Sequence, residues 1–210
     1  MSGESAIHFE NPRTLAVEDR ARADFYALLA NLFYRAPDER LLTAIVVAPE
    51  PEGEGSAELA NAWRDLATAS RLIPPEAIEE EYQQVFVGVG KPPVMLYGSY
   101  YLAGFMMERP LAELRNDLAA LGFARAANIN EPEDHLAALC DVMRALICGD
   151  IGRRPATIAE QNAFFSRHLK HWVTQCCDAT TKYAQSNYYV KVAAFARAFF
   201  DIEIAAFEMP

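Results

Sequence analysis

At 210 residues the chain has room for one large domain or two small ones, and 52 % hydrophobic residues supply a sizeable core that excludes global disorder. The formal net charge of −10 argues against a nucleic-acid backbone as the main partner, which needs clustered Lys and Arg, and suits a cationic one. The opening stretch "MSGESAIHFENPRTLAVEDRARADF" has no basic region followed by an apolar one. No apolar run reaches the roughly 20 residues of a bilayer span. A cytoplasmic protein without stable membrane insertion is therefore expected.

"VEDRARADFYALLANLFYRAP" places Ala23, Tyr26, Ala27, Ala30 and Phe33 at helical spacing, with a stop near Pro37. Asp38 is placed to cap a second helix through "ERLLTAIVV", and "APEPEGEGS" reads as an exposed loop. Ser56 opens a third helix that Pro74 and Pro75 close. "EAIEEEYQQVFVG" is helical through Ile78, Tyr82, Val85 and Phe86 as far as Gly88, and "VGKPPVMLYGS" is irregular. A longer helix is predicted over "YLAGFMMERPLAELRNDLAALG", kinked or divided at Pro110 and ended by Gly122. The connector "FARAANIN" leads to a helix that runs to Gly149–Asp150. "TIAEQNAFFSRHLKHWVTQCCDATT" and "NYYVKVAAFARAFFDIEIAAF" complete the set. No stretch makes a case for a strand. The expected fold is all-α, a single helical domain with a connector near residues 124–132 between subsets of about 14–123 and 133–208.

The densest local chemistry lies in "NINEPEDHLAALCDVM", residues 128–143. Glu131 is a natural N-cap because the residue before a proline avoids the α region, and Pro132 suits the first helical position. Glu133 and Asp134 then favour the positive end of the dipole. On a wheel, Leu136, Leu139, Cys140, Met143, Leu146 and Ile147 share one face. Asp134 points nearly opposite it, and Glu133 and His135 flank it. A capped helix, an acid–base pair and a metal site all compete for this stretch. The bundle-type Glu-x-x-His metal spacing fails, since Pro132 stands three residues before His135. His168 and His171 lack a matching ligand pair. No metal or other cofactor is expected.

"VGVGKPP" lacks the G-x-x-x-x-G-K-[ST] spacing of a phosphate loop, and Pro92 stands where the hydroxyl would. Cys140, Cys148, Cys176 and Cys177 form no C-x-x-C pair and read as buried, reduced thiols. "EEEYQQVFVGVGKPPVMLYGSYYL" sets the acids Glu79–Glu81 beside Tyr82, Phe86, Tyr97, Tyr100 and Tyr101. Such a mixture builds either core or a groove for an apolar peptide with basic residues.

Three blocks resemble the TorD/DmsD/NarJ type of redox-enzyme maturation chaperone, and the TorD/DmsD branch in particular. They are "EYQQVFVGVGKPPVMLYGSYYL" (81–102), the E-P-x-D-H signature in "NEPEDHLAAL" (130–139), and "FFSRHLKHW" with "NYYVKVAAFARAFF". Val89 replaces the family's proline after F-x-G, and His171 replaces another in H-L-x-P-W. The resemblance implies a non-enzymatic helical chaperone, monomeric or a domain-swapped dimer. Its partners would be the twin-arginine signal peptide and the apoprotein of a molybdopterin oxidoreductase, held for molybdenum cofactor insertion before export. By motif, Tyr82, Val85, Phe86, Tyr97, Gly98, Ser99, Pro132, Asp134 and His135 carry over as peptide-binding positions, with Asp134 free to meet an arginine. The alternatives are a nucleotide- or small-ligand-dependent enzyme or switch using Asp134 and His135, and a helical adaptor for some other partner.

Overall fold

The apolar face of the first helix, α1 (Val17–Tyr34), lies along α7 (Leu136–Cys148), which brings segments more than a hundred residues apart into one core. The computed structural model describes residues 15–51, 57–88, 90–125, 131–149, 153–183 and 187–209. Among these it is all-α. The other helices are α2 (Glu39–Val47), α3 (Ala57–Leu72), α4 (Pro75–Tyr82), α5 (Gly98–Ala103), α6 (Arg109–Ala120), α8 (Ile158–His168), α9 (Val173–Lys182) and α10 (Tyr188–Glu208). α10 packs on α3, α4 and α9, α2 lies on α3, and α5 lies on α6. Tyr26, Phe33, Phe165, Trp172, Tyr188, Tyr189, Phe195 and Phe200 are fully buried between them.

Local chemistry sets most of the helix boundaries. Asp38 accepts the Leu41 N–H at 2.8 Å, as expected of an N-cap. Thr157 and Glu160 form a reciprocal capping box at α8. Ser56, the expected opener of α3, lies outside the described residues, as do Val89 and Asp150. Three predicted helices differ in detail. The segment after Tyr82 closes as a π-helical turn over Gln83–Val87, which ends where Gly88 adopts φ +62°. The long helix around Pro110 is divided earlier, at Gly104 (φ +83°), and Pro110 falls in the first turn of α6. The helix predicted from Thr157 onwards breaks at Leu169–Trp172, where the Trp172 indole N–H donates to the His168 carbonyl at 2.7 Å.

Two buried carboxylates hold distant parts of the chain together. Glu203 on α10 accepts both Arg22 Nε (2.7 Å) and Nη2 (2.9 Å) as well as the Tyr26 hydroxyl (2.8 Å), fastening α10 to α1. Glu81 on α4 accepts the backbone N–H groups of Asn187, Tyr188 and Tyr189 at 2.7–2.9 Å. It thereby caps α10, whose own Asn187 supplies no side-chain cap. Three of the four cysteines are buried. Cys148 is exposed, because it is the last residue of α7 and the apolar face ends before it.

Candidate functional site

The signature at 131–135 folds differently from a helix start. α7 begins at Leu136, and its N-cap is His135, whose Nδ1 accepts the Ala137 N–H at 3.2 Å. Glu131 and Pro132 are therefore not the cap: they lie in the turn before it. Tertiary pairing decides the boundary. The Leu136 N–H donates to the Leu96 carbonyl (2.8 Å) and the Gly98 N–H to the Asp134 carbonyl (3.0 Å), so Tyr97 and His135 form a short antiparallel bridge. The wheel assignment of Asp134 is corrected for the same reason. Asp134 is 3 % exposed, and its Oδ2 accepts the Ser99 N–H at 2.8 Å. Its Oδ1 is buried without a hydrogen-bond partner among the described residues.

Above this clip two clefts meet. One, of about 490 Å³, is lined by Tyr82, Phe86, Pro92, Met95, Tyr97 and Met106. The other, of about 530 Å³, runs along α7 past Pro132, Glu133, Ala138 and Val142 towards Phe123 and Arg125. Tyr34, Glu131 and His135 border both clefts and form the waist between them. The aromatic wall is rigidly backed. The Tyr82 hydroxyl donates to the Tyr34 carbonyl at 2.7 Å, and Phe86 packs edge-on against Tyr189 at 4.9 Å.

The charges at the waist are unevenly paired. Glu133, though partly buried, is held below its usual pKa by a hydrogen bond from Arg115 Nε at 2.9 Å and by the charges of Arg115 and Arg125. Half-buried Glu131 has no cationic partner among the described residues. It accepts the Tyr97 hydroxyl, and burial together with this carboxylate pushes the phenol pKa up. The Tyr97 ring stands edge-on to His135 at 5.1 Å. His135 is 6 % exposed, and burial lowers its pKa to about 4 against the pull of Glu131 and Asp134. At neutral pH it is uncharged, and because Nδ1 is an acceptor, the proton sits on Nε2.

The sequence-predicted positions thus divide. Tyr82, Phe86, Tyr97, Pro132 and His135 line the clefts. Val85 is fully buried in the core. Gly98, Ser99 and Asp134 surround a separate recess of about 100 Å³ beneath α5, facing Arg167 and His168. Glu131, expected only to cap, is the carboxylate at the waist. Its place in the signature was its only signal, and Tyr34 carried none beyond helical spacing. His168 donates or accepts at 2.7 Å with Asp117, and no cluster of three or more His, Cys, Asp or Glu among the described residues is arranged to hold a metal.

The family model for the nitrate reductase delta subunit matches residues 52–178, which include the aromatic wall, the clip, and Glu131 and His135 of the waist. The chain belongs to this family, that of the TorD-type maturation chaperones. Relatives of this type include the chaperone protein TorD of Vibrio cholerae serotype O1, 27 % identical over 125 residues, or 57 % of each chain. That of Ferrimonas balearica is 28 % identical over 148 residues, covering 67 % of this chain and 64 % of the relative. The chain thus spans 57 % of the length of the Vibrio cholerae relative it matches. In fold it is similar to the crystal structure of a candidate redox enzyme maturation protein from Archaeoglobus fulgidus. That likeness has a TM-score of 0.54 at 19 % identity and covers 96 % of this chain and 99 % of the other. No helix among the described residues is long and apolar enough to cross a membrane.

Proposed function

We propose that this family member is a maturation chaperone, not an enzyme, whose two-lobed groove receives the leader of a redox enzyme. The leader is the twin-arginine signal peptide of a molybdopterin oxidoreductase, and the chaperone holds the apoprotein while molybdenum cofactor is inserted. Export follows loading, so the encounter takes place in the cytoplasm. One observation carries the reading: a half-buried carboxylate with no cationic partner among the described residues, Glu131, stands where an aromatic cleft meets a second apolar one. An arginine would pair with Glu131, and apolar residues following it would bury against Tyr82, Phe86 and Met95. The TorD relatives are named chaperones, which supports the same reading.

An acid–base role for Asp134 and His135 is disfavoured by their geometry. No hydrogen bond joins the two side chains: Asp134 Oδ2 accepts the Ser99 N–H, its Oδ1 has no partner among the described residues, and His135 Nδ1 accepts the Ala137 N–H.

Calorimetry with a peptide of two arginines followed by an apolar stretch tests the proposal. Binding is expected to weaken about tenfold in Glu131→Gln, the loss expected for one charge-assisted contact. It should also weaken with added salt, less steeply in the variant. Absence of binding by the unaltered chain overturns the proposal.

A further inference from the structure

Between α5 and α6 the loop 104–108 exposes more apolar surface than folding requires. Phe105 is 72 % and Met107 71 % exposed, while Met106 between them turns into the aromatic cleft. Met107 is the one non-glycine with positive φ among the described residues, at +60°. A side chain there costs about 1 kcal/mol, which Gly or Asn would largely avoid. Nothing in the packing of Met107 offsets that cost, since its side chain faces solvent.

The loop is nevertheless held in place. The Met107 N–H donates to Ser99 Oγ at 3.2 Å, and the Ser99 N–H donates to Asp134 Oδ2 at 2.8 Å. Ser99 is 0 % exposed, so it touches no ligand itself. The buried carboxylate of the E-P-x-D-H signature therefore aims an exposed methionine through one serine.

We infer that loop 104–108 is an apolar lip which extends the aromatic cleft and seats the apolar stretch of the client leader, with Ser99 and Asp134 as its positioning residues. The inference rests on the function proposed above. Charge complementarity names the occupant and its direction. The leader's cationic residue sits at Glu131, and its apolar residues run along Tyr82, Phe86 and Met95 to Met106. Phe105 and Met107 flank Met106 in the chain, and both are exposed. Methionine, unbranched and polarizable, accommodates apolar side chains of varied shape, as a leader-binding surface requires.

The test uses the full chain and two synthetic peptides. Both carry two arginines; one continues with an apolar stretch and the other has serines in its place. Met107→Asn removes the apolar side chain where Asn tolerates the backbone, so the variant should melt no lower than the wild type. It should bind the apolar peptide about tenfold more weakly, the loss for one buried methionine, and the serine peptide equally well. Phe105→Ser, at an exposed site, should show the same selective loss without loss of fold. Ser99→Ala should do so while leaving the salt dependence of binding unchanged, which a loss of charge recognition would alter. If the wild type binds the apolar peptide and neither loop variant weakens it, the lip is overturned and the groove stands. If the wild type binds neither peptide, the proposed function itself fails. If the wild type sediments as a dimer that Met107→Asn dissociates, the loop seats a second copy and the inference is overturned.

Discussion

Replacing Asp134 by Ala or by Asn separates a carboxylate that meets the client's arginine from one that shapes the site. In the structure Oδ2 accepts the buried Ser99 N–H, and Oδ1 has no hydrogen-bond partner among the described residues. Asp134→Ala strands the Ser99 N–H and leaves a small void, costing about 3 kcal/mol, or about 10 °C in Tm for a chain of this size. Asp134→Asn keeps an oxygen for Ser99 and places its amide where the unpartnered Oδ1 stands, removing a buried charge. Its stability should lie within about 1 kcal/mol of wild type. Thermal unfolding and calorimetry with the two-arginine peptide would be run on the same preparations. We expect Asn to preserve both fold and binding and Ala to lose both. If Asn folds as well as wild type but binds as poorly as Ala, the charge itself meets the cation and the positioning argument is refuted.

The remaining predictions concern the other residues of the clip. His135 has a folded-state pKa of about 4 against 6.5 unfolded, so the unfolded chain takes the proton first as pH falls. Its contribution to stability is complete above about pH 6.5, is lost progressively towards pH 4, and is reduced by about 1 kcal/mol at pH 5.5. Urea midpoints should show this in wild type and lose it in His135→Asn, which retains a capping oxygen; equal acid sensitivity in both would assign the effect to other groups. In Gly98→Ala the new Cβ would stand 3.0 Å from Trp172 Nε1 and 3.1 Å from Cε2. Trp172 is buried and tied to the His168 carbonyl, so a loss of about 1–3 kcal/mol is expected from overpacking. An unchanged Tm would show that the indole yields.

Helices were legible in the sequence wherever one apolar face repeats at helical spacing, as in α1, α3 and α10, and wherever a short polar side chain caps locally, as Asp38 does. The site was legible in composition but not in orientation. A wheel drawn from Glu131 places Asp134 in solvent. The hydrogen bonds from Leu136 to Leu96 and from Gly98 to Asp134 delay the helix by several residues and turn that carboxylate inward. A histidine whose ring nitrogen does the work of a Ser or Asp cap leaves no familiar signature. The extra residue in the π-helical turn at Gln83–Val87 is likewise set by tertiary bonds, such as that from the Val94 N–H to the Val85 carbonyl at 3.1 Å. Pairing of Arg115 with Glu133, which leaves Glu131 as the waist carboxylate without a cation among the described residues, spans 18 positions and has no local pattern.

The remote cap on α10 also fixes an order of events during synthesis. Glu81 reaches its hydrogen-bond partner at Tyr189 across 108 positions, and the same tyrosine backs Phe86 in the aromatic wall. A nascent chain that has not yet released α10 from the ribosome has neither the backing ring nor the three N–H groups that satisfy Glu81. The groove is thus among the last parts of the molecule to be completed, and a half-made chain presents no finished receptor to a client leader.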